Sequence, residues 1–100
     1  MREPTYFILA ALREEPRHGY AIIKRVAELS GERVALATGT LYQALDRLGR
    51  EGLVEVVRDE VVNGRARRHY ALTPDGEDAL LAEAARMAEA ARVVLRARPA

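Results

Sequence analysis

Three arginines stand just past an Asn-Gly pair: the run Asn63-Gly-Arg-Ala-Arg-Arg-His-Tyr70 holds Arg65, Arg67 and Arg68 and no acid. A guanidinium is planar, always charged, and grips phosphate or guanine with two parallel hydrogen bonds. Earlier in the chain, Thr38-Gly-Thr-Leu-Tyr-Gln-Ala-Leu-Asp-Arg-Leu-Gly-Arg50 sorts its side chains by helical spacing. Leu41, Leu45 and Leu48 share one face, while Thr40, Gln43, Arg47 and Arg50 share the opposite one, flanked by Tyr42 and Asp46. Gln and Arg make bidentate contacts with base edges, each worth about 1–3 kcal/mol of discrimination. Thr38, expected as the N-cap, and Thr40 sit where free backbone N–H groups and the helix dipole favour a phosphate. The two segments together predict recognition of double-stranded DNA. Thr40, Tyr42, Gln43 and Arg47 form the reading face, and Arg65, Arg67 and Arg68 reach the backbone.

Other chemistries find little support. Cysteine is absent, which excludes a disulfide framework, a thiolate metal site and a Cys nucleophile. It also suits a reducing, cytoplasmic setting. Neither His18 nor His69 has a second His, Cys or carboxylate at ligand spacing. His18 reads as a helix-start residue and His69 as a hairpin residue. There is no Ser-His-Asp order, no phosphate-binding glycine loop and no carboxylate pair in an apolar setting, so neither an enzyme nor a cofactor is expected.

The elements that must position these residues follow from periodicity. One hundred residues, 49% hydrophobic and 31% charged, make one globular domain, too short for two independent cores. The net charge is only +1, so positive charge is local rather than a general coat. Fifteen of the sixteen basic residues are Arg. Residues 4–14 open with Pro4 and form a helix that is apolar almost all round from Tyr6 to Leu12. One side of it needs the domain's own core and the other a partner chain. That run is too short to span a bilayer. Charged residues and Pro16, not a cleavage site, follow it, so neither a membrane segment nor a signal peptide is expected.

A second amphipathic helix runs from about His18 to Ser30, with Ile22, Val26 and Leu29 on its stripe and Gly31 as its stop. The helix from Thr38 extends to about residue 51. Residues 53–72 change to a β period, and Asn63-Gly64 marks a hairpin. It is expected to carry a long, charged tip over about 58–68. Arg68, Tyr70 and Leu72 point one way and His69 and Ala71 the other. Thr73-Pro74 starts a last helix, Thr as N-cap and Pro at the first position. It runs to about residue 96, roughly 35 Å, with a frayed tail beyond. Leu80, Ala84, Met87, Ala91 and Val94 repeat at spacings of 4, 3, 4 and 3, a coiled-coil seam. With Tyr6 and Leu9 of the first helix it would form a homodimer interface.

Three helices, a β-hairpin and a long final helix make a mainly α, α+β winged helix-turn-helix. Residues 1–73 are the DNA-binding unit and 74–100 the dimerisation helix. Its third helix enters the major groove and its hairpin, the wing, touches the backbone. The segments His18-Gly-Tyr-Ala-Ile-Ile-Lys-Arg25, Gly39-Thr-Leu-Tyr42, Leu45-Asp-Arg-Leu48, Glu51-Gly-Leu-Val54 and Gly64-Arg-Ala-Arg-Arg-His-Tyr-Ala-Leu-Thr-Pro-Asp-Gly76 resemble the PadR-type transcriptional regulators. The resemblance covers about residues 4–90, in the order and separations of the family's short branch. It implies a homodimeric bacterial or archaeal repressor on a palindromic operator, paired through its first and last helices. It also implies that an aromatic small molecule can act as effector, as for some family members. Four positions depart from common family residues: Gln43 and Ala66 stand for Pro, Gly49 for Glu, and His69 for Tyr.

Each reading has a plainer counterpart. The polar face of the third helix also suits solvent. Arginines on a hairpin also protect a sheet edge. A seam on the last helix also packs within its own domain. Two further functions compete. One is a winged-helix module that binds protein, whose reading face would be acidic or apolar. The other is a binding protein for aromatic ligands, with Tyr6, Phe7 and Met87 lining a pocket at the dimer interface.

Overall fold

The computed structural model describes residues 1–96. In chain order these form α1 (Glu3–Glu14), β1 (Arg17–His18), α2 (Gly19–Leu29), α3 (Thr38–Arg50), β2 (Val54–Val62), β3 (Arg65–Leu72) and α4 (Pro74–Arg96). The antiparallel sheet has the order β1-β3-β2. This is the expected winged helix. The sequence reading of the tail beyond Arg96 lies outside the described residues.

Local chemistry sets the helix bounds. Pro4 lies in the first turn of α1, and Glu15, extended before Pro16, ends it. Glu14 then fastens α1 to α2. Its carboxylate accepts from Arg25 at 2.7 and 2.8 Å and from Arg17 at 2.8 Å. Those guanidinium hydrogen bonds, Arg25 foremost, hold the Glu14 carboxyl below its ordinary range. Thr73 caps α4 as expected: its Oγ1 accepts from the Gly76 N–H at 3.0 Å and donates to the Gly52 carbonyl at 2.6 Å.

Three local expectations are corrected. Thr38 is not the cap of α3. Ala37 holds the extended cap conformation and Thr38 is the first helical residue, so no side chain caps this end. The hairpin has no long tip. Pairing continues to Val62↔Arg65, and Asn63 (φ 52°) and Gly64 (φ 76°) close a two-residue turn. Both positive φ values match the right-handed twist of the strands. The sheet also has a third strand that periodicity missed. Two residues are too few to show a period, and β1 exists only because Arg17 pairs with Tyr70 and His18 with His69.

The core takes Ile8, Leu9 and Leu12 from α1, Ile22 and Val26 from α2, and Leu41, Leu45 and Leu48 from α3. Ala11 of α1, Val34 between α2 and α3, Val54 and Tyr70 of the sheet and Leu80 of α4 complete it. Burying each such Leu or Ile contributes about 1.5–3 kcal/mol, so the apolar face of α3 anchors it firmly. Beyond Ala84, every residue of α4 to Arg96 is exposed. The helix projects from the body and accounts for the 61 Å long axis.

Candidate nucleic-acid interface

The buried face of α3 dictates what its other face presents. With Leu41, Leu45 and Leu48 in the core, Thr38, Thr40, Gln43, Asp46, Arg47 and Arg50 are left in solvent. Thr40, Gln43, Asp46, Arg47 and Arg50 line an open cleft of about 560 Å³, closed on its other side by Arg2 and Thr5 at the start of α1. The cleft is an open groove along the polar face of α3.

Arg47 sits differently from expectation. Its Nη2 donates to Thr5 Oγ1 at 2.9 Å and its Nη1 lies 3.7 Å from Glu51 Oε1. The guanidinium is turned toward α1, and reaching a base would break the Thr5 bond. Gln43 makes no side-chain hydrogen bond among the described residues and stays available. Tyr42 is both exposed and packed. It remains 43% exposed, yet its Oη lies 2.5 Å from where a Cβ on Gly19 would stand. It packs on the start of α2.

The wing arginines divide by partner. Arg68 Nε bonds Asp59 Oδ1 at 3.2 Å across the hairpin, which raises the guanidinium pKa further. Arg65 and Arg67 have no ion-pair partner among the described residues. This difference extends over the described residues. Ten basic side chains are in ion pairs: Arg13, Arg17, Arg25, Arg33, Arg47, Arg58, Arg68, Arg86, Arg92 and Arg96. Among the described residues, those without one are Arg2, Lys24, Arg50, Arg65 and Arg67. Two line the α3 cleft, two lie on the wing and one lies on α2.

Sequence reasoning set Arg50 on the polar face of α3 without giving it a contact, and passed over Arg2, Tyr20 and Lys24. Tyr20 is 77% exposed, the most exposed large apolar side chain of the described residues. Lys24 follows it at i+4 on the same face of α2. That spacing was a readable signal; the placement of Arg2 beside α3 was not.

The two histidines, with no partner expected for either, meet at the wing root. Their rings are 5.5 Å apart and nearly perpendicular. His69 Nε2 donates to Glu60 Oε1 at 2.7 Å, with Arg58 Nη2 at 3.4 Å. The hydrogen bond from His69 lowers the Glu60 pKa. His18 serves, as expected, at a helix start: its Nδ1 accepts from the Ala21 N–H, though the bond is long at 3.4 Å.

On the opposite side of the molecule, Leu9 is fully buried and Leu80 is 4% exposed. Both are satisfied by the chain's own core, which corrects their expected place in an interface. Tyr6 and Ala84 are half-buried, and Met87, Ala91 and Val94 are exposed, Val94 at 71%. A cleft of about 290 Å³ lies among Tyr6, Ala10, Leu29, Leu80, Leu81 and Ala84. Phe7 and Met87 do not line it. Phe7 instead packs edge-on against Tyr6, 5.4 Å between centroids.

Residues 8–82 match the transcriptional regulator PadR-like family. The chain belongs to this family. It is 46% identical over 68 residues to a transcriptional regulator of Mycobacterium tuberculosis, covering 68% of this chain and 63% of that one. A PadR family transcription regulator of Clostridium difficile superposes with a TM-score of 0.80 at 27% identity, covering 95% and 97% of the two chains. Bacillus subtilis PadR, solved in complex with operator DNA, gives 0.69 at 28% identity over 79% of this chain and 46% of that one. The chain spans between 22% and 64% of the length of the curated relatives it matches, less than two thirds of each. No helix among the described residues is long and apolar enough to cross a membrane.

Proposed function

We propose that this PadR-like chain binds a palindromic DNA operator as a homodimer and represses transcription in the cytoplasm. The observation that carries the reading is the distribution of unpaired cations. Arg2, Lys24, Arg50, Arg65 and Arg67 stand on or beside the elements that a winged helix turns to DNA, whereas the other described cations are in ion pairs. An unpaired arginine can exchange counterions for phosphates without first losing a carboxylate partner. On this reading Gln43, Thr40 and Tyr42 meet the major groove. Arg47 joins them only after leaving Thr5. Thr38 and the uncapped first turn of α3 meet a phosphate. Arg65 and Arg67 hold the flanking backbone, and Arg68 contributes through its pairing with Asp59. Tyr20 and Lys24 lie where the first helix of the motif crosses the backbone.

Residues 1–73 then act as the DNA-binding unit, and the helix from Pro74 as the dimerisation element. The exposed apolar side chains of α4, Met87 and Val94 among them, support pairing there, with Ala91 allowing close approach and Tyr6 and Ala84 at the margin. A second reading, an aromatic effector, is favoured by the cleft beside Tyr6, where α1 and α4 meet. Thermal stabilisation by flat aromatic compounds tests it.

The main test is a fluorescence-anisotropy titration of the duplex upstream of the protein's own gene against a scrambled duplex of equal length. Binding at least about a thousandfold tighter to the first supports the reading. Equal, weak binding that vanishes with salt contradicts it.

A further inference from the structure

We infer that His18 is a positioning residue for the reading helix, and that its protonation weakens DNA binding. The inference rests on the DNA-binding reading above.

His18 and its neighbour Gly19 join three parts of the interface. The backbone of His18 pairs with His69, at the root of the wing. Its Nδ1 caps α2 by accepting from the Ala21 N–H. The next residue, Gly19, carries the close approach of Tyr42 from α3. The start of α2 is thus the seat on which α3 rests, and His18 holds it.

The cap works in one protonation state. Nδ1 accepts a hydrogen bond only while it carries no proton. A proton there converts the acceptor into a donor facing the Ala21 N–H, and the cap is lost. The surroundings oppose that proton. His69 and Arg67 of β3 face His18, and Arg58 of β2 lies behind His69. Glu60 is the one carboxylate of the cluster, and it is already engaged by His69. Burial first, then the charges of Arg67 and His69, hold the His18 imidazole below its ordinary value, against the pull of Glu60. Proton uptake therefore accompanies loosening of the α2 start, and with it the seat of Tyr42 and α3.

The sign separates this device from simple electrostatics. A histidine that merely lay near phosphates would gain charge on acidification and tighten binding. Here acidification weakens it.

The test compares wild type, His18→Asn and His18→Ala by anisotropy at about pH 7.5 and about pH 5.5, at constant ionic strength. The quantity read is the ratio of Kd values within each protein. Wild type is expected to bind roughly threefold to tenfold more weakly at the lower pH, the scale of one lost helix cap. Asn caps a helix without titrating, so His18→Asn should show a ratio of one or below. His18→Ala should be weak at both pH values with a flat ratio. A wild-type ratio of one or below, or the same ratio in wild type and His18→Asn, overturns the inference.

Imidazole and amide NMR shifts of the DNA-free protein provide the independent arm. The Ala21 amide is expected to move with the His18 titration, and an Ala21 amide that ignores it also overturns the inference. Absence of operator binding by wild type at the higher pH would instead count against the proposed function, and the NMR arm would still decide the role of His18.

Discussion

Tyr42 of α3 rests on Gly19 of α2, its Oη 2.5 Å from the place a Cβ would occupy. This contact joins α3 to the start of α2 where the wing root begins. A methyl group at Gly19 displaces the ring, which is free to swing because its far end is the part in contact. Gly19→Ala is therefore expected to cost only about 1 kcal/mol of stability by urea unfolding, at the low end for overpacking. Its effect on operator affinity should be larger. Combining it with Tyr42→Ala should restore the stability but not the affinity.

The bond from Arg47 to Thr5 separates two residues that share a helical face. Gln43→Ala is expected to relax discrimination at one base pair by about 1–3 kcal/mol. Arg47→Ala should cost about 1 kcal/mol of folding stability through the lost bond to Thr5, with a smaller change in base preference. Titrations against duplexes substituted one position at a time check both. A larger loss of base preference from Arg47→Ala would show that Arg47 leaves Thr5 in the complex.

On the wing, Arg65 has no described partner and Arg68 has Asp59. Arg65→Ala is expected to weaken binding to operator and scrambled duplex alike, and to reduce the slope of log K against log salt by about 0.9. Arg68→Ala should reduce it less, because its charge is already partly neutralised. Titrations at four salt concentrations measure the slopes.

Much of this arrangement was legible in the residues. Leu41, Leu45 and Leu48 announced the buried face of α3 and so the polar one, Asn63-Gly64 the turn, and Thr73-Pro74 the start of α4. Each is a local signal within a few positions. What stayed hidden depends on residues far apart in sequence. Arg17 and His18 become a strand only against β3. His18 and His69 become a pair only through that strand. Leu9 and Leu80 follow the apolar period that marks an interface, yet the core consumes both. The unpaired state of Arg2 and Arg50 emerges only once the carboxylates have been assigned to other cations.

The ionisable groups predict two steps in stability against pH. Folding keeps His18 below its ordinary value of 6.5, so the unfolded chain binds the extra proton first. That contribution is complete above about 6.5 and fades as pH falls through the lower folded value. Glu14, Glu60 and Glu83 are held below their ordinary 4.5, each chiefly by a hydrogen bond, from Arg25, His69 and Arg86 respectively. Their contributions are present above about 4.5 and are lost as pH falls through the lower folded values. Urea midpoints measured every half pH unit should show both steps, and His18→Asn should remove only the upper one.

On the proposed function, two copies of α3 read one operator. Hydroxyl-radical footprinting of the protein on the DNA upstream of its gene tests it most directly. Two protected patches related by two-fold symmetry are expected, their centres about 34 Å, one helical turn, apart. Both should be lost together when α4 pairing is broken by Val94→Asp. A single patch, or diffuse protection that follows no sequence, would contradict it.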